Sequence, residues 1–236
     1  MLTIEEIKKG LGTQAAQLVE DNMTIGIGTG STAHWLIVAL GERIQQGLQC
    51  RAVPTSRQTA LLATAHNIPL IELNDAGTIR LTIDGADEID PHLQLIKGGG
   101  GALLQEKMVA AVSERLVIMA DHNKLVTQLG AFPLPIEVIP YNWKQVKRIV
   151  EKQHAIPVQL RTKNEQPFIT DHGHYILDCH FQQIVNAPAL DQYLHSIPGI
   201  VETGLFLDMA HSALIGYPDG SVQVRQSPAQ SLASGE

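Results

Sequence analysis

Residues 23–34 read Met-Thr-Ile-Gly-Ile-Gly-Thr-Gly-Ser-Thr-Ala-His, and this stretch predicts the architecture of the chain. The apolar run at 23–27 is typical of a short buried strand. Glycine and hydroxyl residues follow at 28–32, and a helical pattern runs from Ala33 to about Gln46. A buried strand that ends in a glycine turn and leads into a helix is the repeating unit of a parallel sheet.

The first half of the chain repeats this alternation of strand and helix. Thr3 and Glu6 have the spacing of a capping box, which predicts that the first helix begins at Ile4. Helices are predicted at 4–19, 57–66 and 102–112, and strands at 49–53, 69–73, 79–83, 93–96 and 115–120. This order predicts an α/β fold built on an open, mainly parallel, doubly wound sheet.

The pattern changes after Pro133. Strands at 136–139, 156–161, 175–179 and 200–203, with helices at 143–153 and 189–197, follow the order βαββαβ of a ferredoxin-like unit. A predicted hairpin, 213–217 with 222–225, returns the chain to the first sheet. We therefore predict a catalytic domain of residues 1–131 and 205–236, with a smaller α+β domain inserted at 132–204. The tail from Gln226, rich in Ser and Ala, is predicted to be disordered.

The composition limits the classes of protein to consider. The chain has 236 residues, of which 44% are hydrophobic and 17% charged, and this excludes a disordered chain. A net charge of −7 argues against nucleic acid or an anionic membrane as the main partner. The N-terminus lacks the pattern of a signal peptide, and Cys50 and Cys179 lie outside any redox or metal motif. We expect a cytoplasmic protein with reduced cysteines.

The loop at 28–32 has the features of an anion site. Three hydroxyls, Thr29, Ser31 and Thr32, lie between a strand and the N-terminus of a helix, where backbone N–H groups attract a phosphate. The loop matches neither dinucleotide nor Walker motifs, since Ser31 replaces the third glycine and no lysine precedes it. The alternative is an ordinary glycine turn.

Two further loops carry charged residues. Four carboxylates fall within residues 84–90 in an order that a calcium loop does not have; the alternative is a solvated acidic turn. Lys97 is followed by four glycines, and Glu106 comes early in the next predicted helix. Consecutive glycines allow the backbone to approach a ligand closely, although a glycine run alone is more often a hinge.

A fourth loop, residues 121–124, also follows a predicted strand. Because the carboxyl ends of parallel strands meet at one crevice, we expect all four loops to line a common site. His172 and His174 could ligate a metal, but no third ligand is near them in sequence. We therefore expect neither a metal nor a nucleotide cofactor.

Taken together, these segments resemble those of the type A ribose-5-phosphate isomerases. The likeness runs in order from about residue 4 to residue 220, and its blocks are 28–32, 84–88, 97–100, 120–124, 132–138 and 197–201. The resemblance implies a cofactor-free interconversion of D-ribose 5-phosphate and D-ribulose 5-phosphate. It also implies a homodimer or a homotetramer.

The resemblance further implies a role for each matching residue. Glu106 would be the general base that moves a proton between C2 and C1 through an enediolate. Lys97 would offset charge on the enediolate oxygens, while Asp84 and Asp87 would hold sugar hydroxyls and assist ring opening. The phosphate would be held by Thr29, Ser31, Thr32, Lys124 and Lys8. The full set of residues implied to bind substrate is Lys8, Thr29, Gly30, Ser31, Thr32, Asp84, Gly85, Ala86, Asp87, Lys97, Gly98, Gly99, Gly100 and Lys124.

The sequence departs from the family pattern at two places. Gly101 stands where an alanine is common in the family and is expected to loosen the loop. Residues 54–58 vary in the family and receive no catalytic role.

Two alternative functions are considered. The first alternative is a sugar-phosphate-sensing domain without catalysis, which would need a DNA-binding motif and a basic face. The second is a domain resembling acyl-CoA transferases with Glu106 as nucleophile, which would need a longer chain or a partner.

Overall fold

The computed structural model describes residues 1–227. Within this part of the chain, no helix is both long enough and apolar enough to cross a membrane. The α-helices are α1 (Ile4–Ala16), α2 (Ser31–Gln45), α3 (Arg57–Ala65), α4 (Leu103–Ala111), α5 (Trp143–His154) and α6 (Ala187–His195). The strands are β1 (Met23–Ile27), β2 (Cys50–Pro54), β3 (Leu81–Gly85), β4 (Glu88–Ile89), β5 (Leu95–Ile96), β6 (Leu116–Asp121), β7 (Leu134–Val138), β8 (Val158–Leu160), β9 (Thr162–Lys163), β10 (Gln166–Pro167), β11 (Tyr175–Cys179), β12 (Ile200–Thr203), β13 (Leu205–Phe206), β14 (Ser212–Gly216) and β15 (Val222–Gln226).

The chain forms two compact units. The first contains residues 1–86, 105–125 and those from 209 onward, and the second contains residues 87–104 and 126–208. The predicted disordered tail begins at Gln226, which the structure places at the end of β15. The rest of that tail, from residue 228, lies outside the described residues.

The first unit is built on a six-stranded sheet in the order β15-β14-β6-β3-β1-β2. Every neighbouring pair is parallel except the β14–β15 hairpin. β1 lies inside the sheet, where Ile25 pairs with Ala52 of β2 and with Leu81 of β3. The predicted open, mainly parallel sheet is confirmed.

Helices cover both faces of this sheet. On one face, Leu11 of α1 and Leu36 of α2 pack in one buried cluster with Ile25. On the other face, Val109 of α4 comes so close to β1 that a Cβ at Gly26 would lie 2.6 Å from its Cγ1 atom. Gly26 therefore allows α4 to pack against the sheet, as a doubly wound fold requires.

The first helix begins as the capping pattern predicts. The Thr3 hydroxyl accepts the Glu6 N–H at 3.3 Å, and the Glu6 carboxylate accepts the Thr3 N–H at 2.8 Å. These two bonds satisfy backbone donors that a helix start leaves without partners. The helix ends at Ala16 rather than near residue 19.

The second unit contains a four-stranded antiparallel sheet in the order β12-β7-β11-β8. With α5 between β7 and β8 and α6 between β11 and β12, this is the ferredoxin-like arrangement that the sequence predicts. Val146 of α5 and Leu194 of α6 share one buried cluster with Ile136 and Leu177 on one face of the sheet. Asp178 of β11 lies on the opposite face from Leu177, because successive side chains of a strand alternate between faces.

Two strand predictions for the first sheet are wrong. The segment predicted at 93–96 forms only the two-residue β5, which pairs antiparallel with β4 and β13 in the second unit. The segment predicted at 69–73 makes an isolated bridge from Leu70 to Ala52 and then a 3₁₀ turn at Leu73–Asp75. Pro69 cannot donate a ladder hydrogen bond, and a short apolar run does not reveal its strand partner.

The predicted domains, 132–204 inserted into 1–131 and 205–236, stay a prediction. The compact units group the chain differently, because residues 87–104 belong with the second unit. β5 accounts for this grouping, since its Leu95 pairs with Phe206.

Candidate active site

The loop after β1 brings together the features of an anion site. Gly30 has φ +110°, which favours glycine, and α2 begins at the next residue. The first turn of a helix has N–H groups without intrahelical partners, and its dipole is positive there. The Lys8 ammonium donates to the Ser31 hydroxyl at 2.9 Å, so a cation lies at the same helix end. Ser31 is exposed and Thr32 is half-buried.

The Thr29 hydroxyl takes part in a chain of hydroxyl groups. It donates to Ser56 at 2.8 Å and lies 2.8 Å from the hydroxyl of Thr55. Ser56 donates to Thr59 at 3.0 Å, and Thr59 donates to the carbonyl of Gly28 at 3.0 Å. Since a hydroxyl has one proton, that of Thr29 is used inside the protein, where it fixes the loop.

Sequence reasoning gave residues 54–58 no role and missed this chain of hydroxyls. Thr55 and Ser56 directly follow β2, the strand beside β1. Hydroxyl residues just beyond the end of a strand next to the glycine loop were the signal that could have revealed them.

Asp84 lies at the end of β3 and is 1% exposed. Its Oδ1 atom accepts the N–H of Gly85 at 2.7 Å and that of Thr29 at 3.2 Å. A Cβ at Gly28 would lie 1.8 Å from the same oxygen. The glycine at 28 therefore makes room for the carboxylate, and the carboxylate in turn binds the backbone of the loop after β1.

Glu106 and Lys124 also belong to the first unit. Glu106 lies in the first turn of α4 and is 5% exposed. Gln105 beside it donates to the carbonyl of Pro54 at 2.9 Å, which ties the start of α4 to the end of β2. Lys124 is half-buried in the 3₁₀ turn after β6. A helix N-terminus favours the ionised form of a carboxylate such as that of Glu106.

In the second unit, Asp87 binds the loop of four glycines at residues 98–101, called the glycine loop below. Its N–H donates to the carbonyl of Ile96 at 2.8 Å, and its carboxylate accepts the N–H of Gly99 at 2.7 Å. A Cβ at Gly99 would lie 2.7 Å from the carboxylate, so this contact requires glycine. Gly98 has φ +102°, which also favours glycine.

Lys97 is 2% exposed, which is rare for a lysine. Its N–H donates to the carbonyl of Gly204 at 2.9 Å, and its ammonium lies 5.3 Å from the centre of the Phe206 ring. An ammonium group held away from water acts more strongly on a nearby negative charge than an exposed one does.

The sequence led us to expect that Gly101, which replaces an alanine common in the family, would loosen the glycine loop, but the structure does not support this. It has φ +82° and is buried under Phe168. A Cβ at this position would lie 2.4 Å from two carbon atoms of that ring. The packing of Phe168 therefore requires glycine at position 101, and the Phe168 ring holds the end of the loop.

The acidic segment 84–90 is not a solvated turn. Glu88 is 3% exposed, and its carboxylate accepts the N–H of Gly130 at 2.7 Å and that of Phe132 at 2.5 Å. Asp90 accepts two backbone N–H groups within its own turn. These two carboxylates fix the backbone of the second unit.

The histidines considered as metal ligands have other surroundings. His174 lies 2.9 Å from a carboxylate oxygen of the buried Glu137, and His172 is exposed. Within the described residues, Asp191, His195 and Glu202 bring one possible ligand atom each within 4.8 Å of one another. His195 lies between the two carboxylates, and each of its ring nitrogens lies within 3.4 Å of one of them, so these three side chains contact one another directly.

The structure divides the predicted site residues between the two units. The first holds Lys8, Thr29, Gly30, Ser31, Thr32, Asp84, Gly85, Ala86, Glu106 and Lys124, and the second holds Asp87, Lys97, Gly98, Gly99 and Gly100. The expectation that all four loops follow parallel strands is wrong for the loop after Lys97, because β5 is antiparallel to both its neighbours. Ala86 of the first unit and Asp87 of the second are consecutive residues of the chain.

Comparison with known proteins identifies the family. Residues 51–220 match the family described as ribose 5-phosphate isomerase A (phosphoriboisomerase A). The chain belongs to this family.

Individual ribose-5-phosphate isomerases are similar over most of their length. That of Bacillus mycoides (strain KBAB4) is 52% identical over 215 residues, which cover 91% of this chain and 97% of the relative. A D-ribose-5-phosphate isomerase solved in complex with phospho-erythronic acid is 38% identical with a TM-score of 0.92, covering 95% of this chain and all of the other. The enzyme from Plasmodium falciparum is 36% identical with a TM-score of 0.92, covering 95% and 99%.

This chain is therefore an isomerase enzyme. The aldose–ketose interconversion of ribose 5-phosphate and ribulose 5-phosphate is the function of its family, and the pentose phosphate pathway is the family's setting. Nothing in the comparisons supports the alternative of a sensing domain without catalysis.

Proposed function

We propose that this isomerase needs neither a metal nor a cofactor and moves one proton between C2 and C1 of the substrate, with Glu106 as the base. The observation that carries this proposal is the buried carboxylate in the first turn of α4, 5% exposed, in a chain of this family. The N-terminus of a helix stabilises the negative charge of a carboxylate, and a carboxylate is a suitable residue type for a general base.

The proton transfers balance without any other reagent. The Glu106 carboxylate takes the proton from C2 of the open-chain aldose, and the electron pair forms the C1–C2 double bond of an enediolate with its charge on O1. The same carboxyl group returns the proton to C1, while the hydroxyl proton on O2 is lost and O1 gains one. One carbon-bound proton and one oxygen-bound proton have then moved, and the product is the ketose.

We propose that the Lys97 ammonium stabilises the enediolate oxygens. The charge on these oxygens exists only during the reaction, so a fixed cation beside them lowers the barrier rather than strengthening substrate binding. Its low exposure, 2%, supports this role because little water competes for its charge. The backbone at Gly98, Gly99 and Gly100 supplies further donors.

Asp84 and Asp87 are proposed to hold sugar hydroxyls and to assist ring opening, because the furanose must open before C2 can lose its proton. Each carboxylate is fixed by backbone N–H groups, Asp84 by those of Gly85 and Thr29 and Asp87 by that of Gly99. A carboxylate fixed by its backbone neighbours holds a hydroxyl at a defined position at little entropic cost.

The phosphate is proposed to bind at the start of α2. Ser31, Thr32 and the first-turn N–H groups would bind its oxygens, with Lys8 and Lys124 supplying positive charge. A related isomerase binds phospho-erythronic acid, a phosphorylated sugar acid whose planar carboxylate has the shape and charge of an enediolate. The remaining proposed contacts come from Gly30, Gly85 and Ala86. Thr29, whose hydroxyl donates to Ser56 and whose N–H donates to Asp84, is proposed to fix the phosphate-binding loop.

We also propose a homodimer or homotetramer in the cytoplasm. Ile139 and Tyr141, two positions apart in the sequence, are 44% and 97% exposed, and we propose that they belong to the surface that another subunit covers. Cys50 and Cys179 are buried and free, which suits a reducing compartment. Light scattering during gel filtration measures the number of subunits directly.

The decisive assay uses purified enzyme, ribose 5-phosphate and EDTA in D₂O. We expect ketose formation that EDTA does not slow, with deuterium entering C1 to the extent that the protonated Glu106 carboxyl exchanges with the solvent before it returns its proton. The Glu106→Gln variant should lose at least about 100-fold in kcat, the lower end of what general-base catalysis contributes. Glu114→Gln, at an exposed position just after α4, is the matched control and should be unchanged.

Two outcomes would contradict the proposal. Full turnover by Glu106→Gln would exclude this residue as the base. Activity that disappears with EDTA and returns with a metal would exclude the cofactor-free mechanism.

A further inference from the structure

Arg161 contacts the glycine loop although no sequence motif points to it. Its Nη1 atom donates to the carbonyl of Gly98 at 2.7 Å and to that of Gly99 at 3.1 Å. All three residues belong to the second unit. One guanidinium nitrogen thus binds two successive peptide carbonyls of the loop.

The arginine is itself held firmly. Its Nε and Nη2 atoms donate to the two carboxylate oxygens of Asp178, at 3.0 and 2.5 Å, in the bidentate arrangement that fixes a guanidinium plane. Asp178 lies on β11, and the Arg161 N–H donates to the carbonyl of Ile176 on the same strand at 2.8 Å. The side chains of Arg161 and Asp178 are only 15% and 19% exposed.

The same segment holds the other end of the loop. The Phe168 N–H donates to the carbonyl of Arg161 at 2.9 Å, which closes the β9–β10 hairpin between them. Phe168 packs on Gly101, so residues 161–168 contact the loop at both ends. A glycine-rich loop has many accessible conformations, and these contacts select one of them.

The selected conformation determines where the loop's donors point. In a trans peptide the C=O and the following N–H point in opposite directions. Arg161 holds the carbonyls of Gly98 and Gly99, so the N–H groups of Gly99 and Gly100 point away from it. The Gly99 N–H donates to the carboxylate of Asp87, and both Gly99 and Gly100 are exposed.

We propose that Arg161, fixed by Asp178, is a positioning residue for isomerisation. It sets the direction of the loop's N–H groups and of Asp87, and so supports the groups that stabilise the enediolate, without touching the substrate. The inference rests on the proposed roles of Asp87, Lys97 and the loop. Because the proposed phosphate ligands lie in the first unit, substrate affinity should depend on Arg161 far less than turnover does.

The test compares Arg161→Lys and Asp178→Asn with Arg148→Lys, a change at an exposed position on α5. Lysine keeps the charge but cannot bind Asp178 bidentately and two carbonyls at once. For Arg161→Lys we expect kcat to fall about 10- to 100-fold with KM within about threefold, as for a small misplacement of catalytic groups. Asp178→Asn should show a smaller loss in the same direction, and Arg148→Lys none.

Two inhibitors separate positioning from a general structural role. The Ki of phospho-erythronic acid should rise by the same factor as kcat/KM falls, because its carboxylate needs the loop. The Ki of inorganic phosphate should stay unchanged. Equal weakening of both inhibitors, or an unchanged kcat in Arg161→Lys, would overturn the inference; if Arg161→Lys does not fold, Asp178→Asn decides by the same criteria.

Failure of this inference is distinguishable from failure of the proposed function. If Glu106→Gln loses turnover and Arg161→Lys does not, only the positioning role is wrong. If Glu106→Gln keeps full turnover, the proposed chemistry is wrong whatever Arg161 does.

Discussion

The carboxylate of Asp84 occupies the space that any side chain at Gly28 would need. A Cβ on residue 28 would lie 1.8 Å from the Oδ1 atom and 2.6 Å from the Cα atom of Asp84. One contact therefore joins the strand that carries a proposed catalytic carboxylate to the loop proposed to bind the phosphate.

Gly28→Ala should accordingly impair both stability and activity. Because backbone as well as side-chain atoms would have to shift, we expect a loss of about 1–3 kcal/mol in the free energy of unfolding. Turnover should fall by at least about tenfold, since the carboxylate of Asp84, which we propose to act on the substrate, would be displaced. Urea unfolding and steady-state kinetics measure the two effects.

Gly10→Ala is the control for this prediction. Gly10 lies within α1, its backbone is helical, and no atom outside the helix lies within 4 Å of the place where a Cβ would stand. This change should stabilise the enzyme by about 0.5–1 kcal/mol with no change in kcat. Equal behaviour of the two alanine variants would show that the contact with Asp84 is unimportant.

The chain of hydroxyls predicts the effect of Thr59→Val. Valine keeps the shape of threonine but removes the donor to the carbonyl of Gly28 and the partner of Ser56. We expect about 1–3 kcal/mol of destabilisation from the unsatisfied buried groups, and a higher Ki for inorganic phosphate. Thr64→Val is the matched control, because Thr64 is exposed on the same helix and bonds only within it.

Lys8→Met should weaken substrate binding and leave chemistry intact. Lys8 donates to Ser31 at the proposed phosphate site, and hydrogen bonds to charged groups contribute about 1.5–3 kcal/mol. KM should therefore rise about 10- to 100-fold with kcat nearly constant. Lys9→Met, on an exposed neighbour that lies over the Trp35 ring, should do neither. A drop in kcat without a change in KM would contradict the assignment.

His154 predicts a loss of stability at acid pH. Its ring lies 5.3 Å from that of Phe181 and 5.2 Å from that of Tyr193, and burial lowers its pKa below the ordinary value. The unfolded chain then binds a proton more readily than the folded one, so stability present above about pH 6.5 is lost as the pH falls below it.

Thermal melts between pH 7.5 and pH 5.5 measure this loss. His154→Phe keeps an aromatic ring without the titrating group, so its Tm should fall less over this range than that of the wild type. His92→Gln, at an exposed position, should follow the wild type. Parallel curves for all three proteins would assign the acid sensitivity to other groups.

Local patterns predicted most of the fold. The glycine turn after β1, the capping pair of α1 and the βαββαβ order each depend on a few neighbouring residues, and each is found in the structure. The partner of a short strand depends on residues far away in sequence. β5 has two residues, and nothing in them indicates that Phe206 rather than the parallel sheet completes their hydrogen bonds.

The same limit applies to the candidate site. Residues within motifs, such as Asp84 and the glycines after Lys97, were identifiable because unusual residue types stand together. Arg161 lies 62 residues beyond Gly99 along the chain, in a segment without a motif, and its role depends wholly on tertiary contacts. Thr59 likewise looks like an ordinary helical residue until Ser56 and Gly28 are placed beside it.

The position of β14 has a consequence for how the enzyme is made. β6 pairs with β3 on one side, but its other neighbour, β14, begins only at Ser212. While the ribosome synthesises the chain between them, β6 presents an unpaired edge of buried, apolar sequence that a neighbouring nascent chain could join. The sheet is complete only after β14 and β15 have been synthesised, so folding of the first unit depends on a strand made about 90 residues after β6.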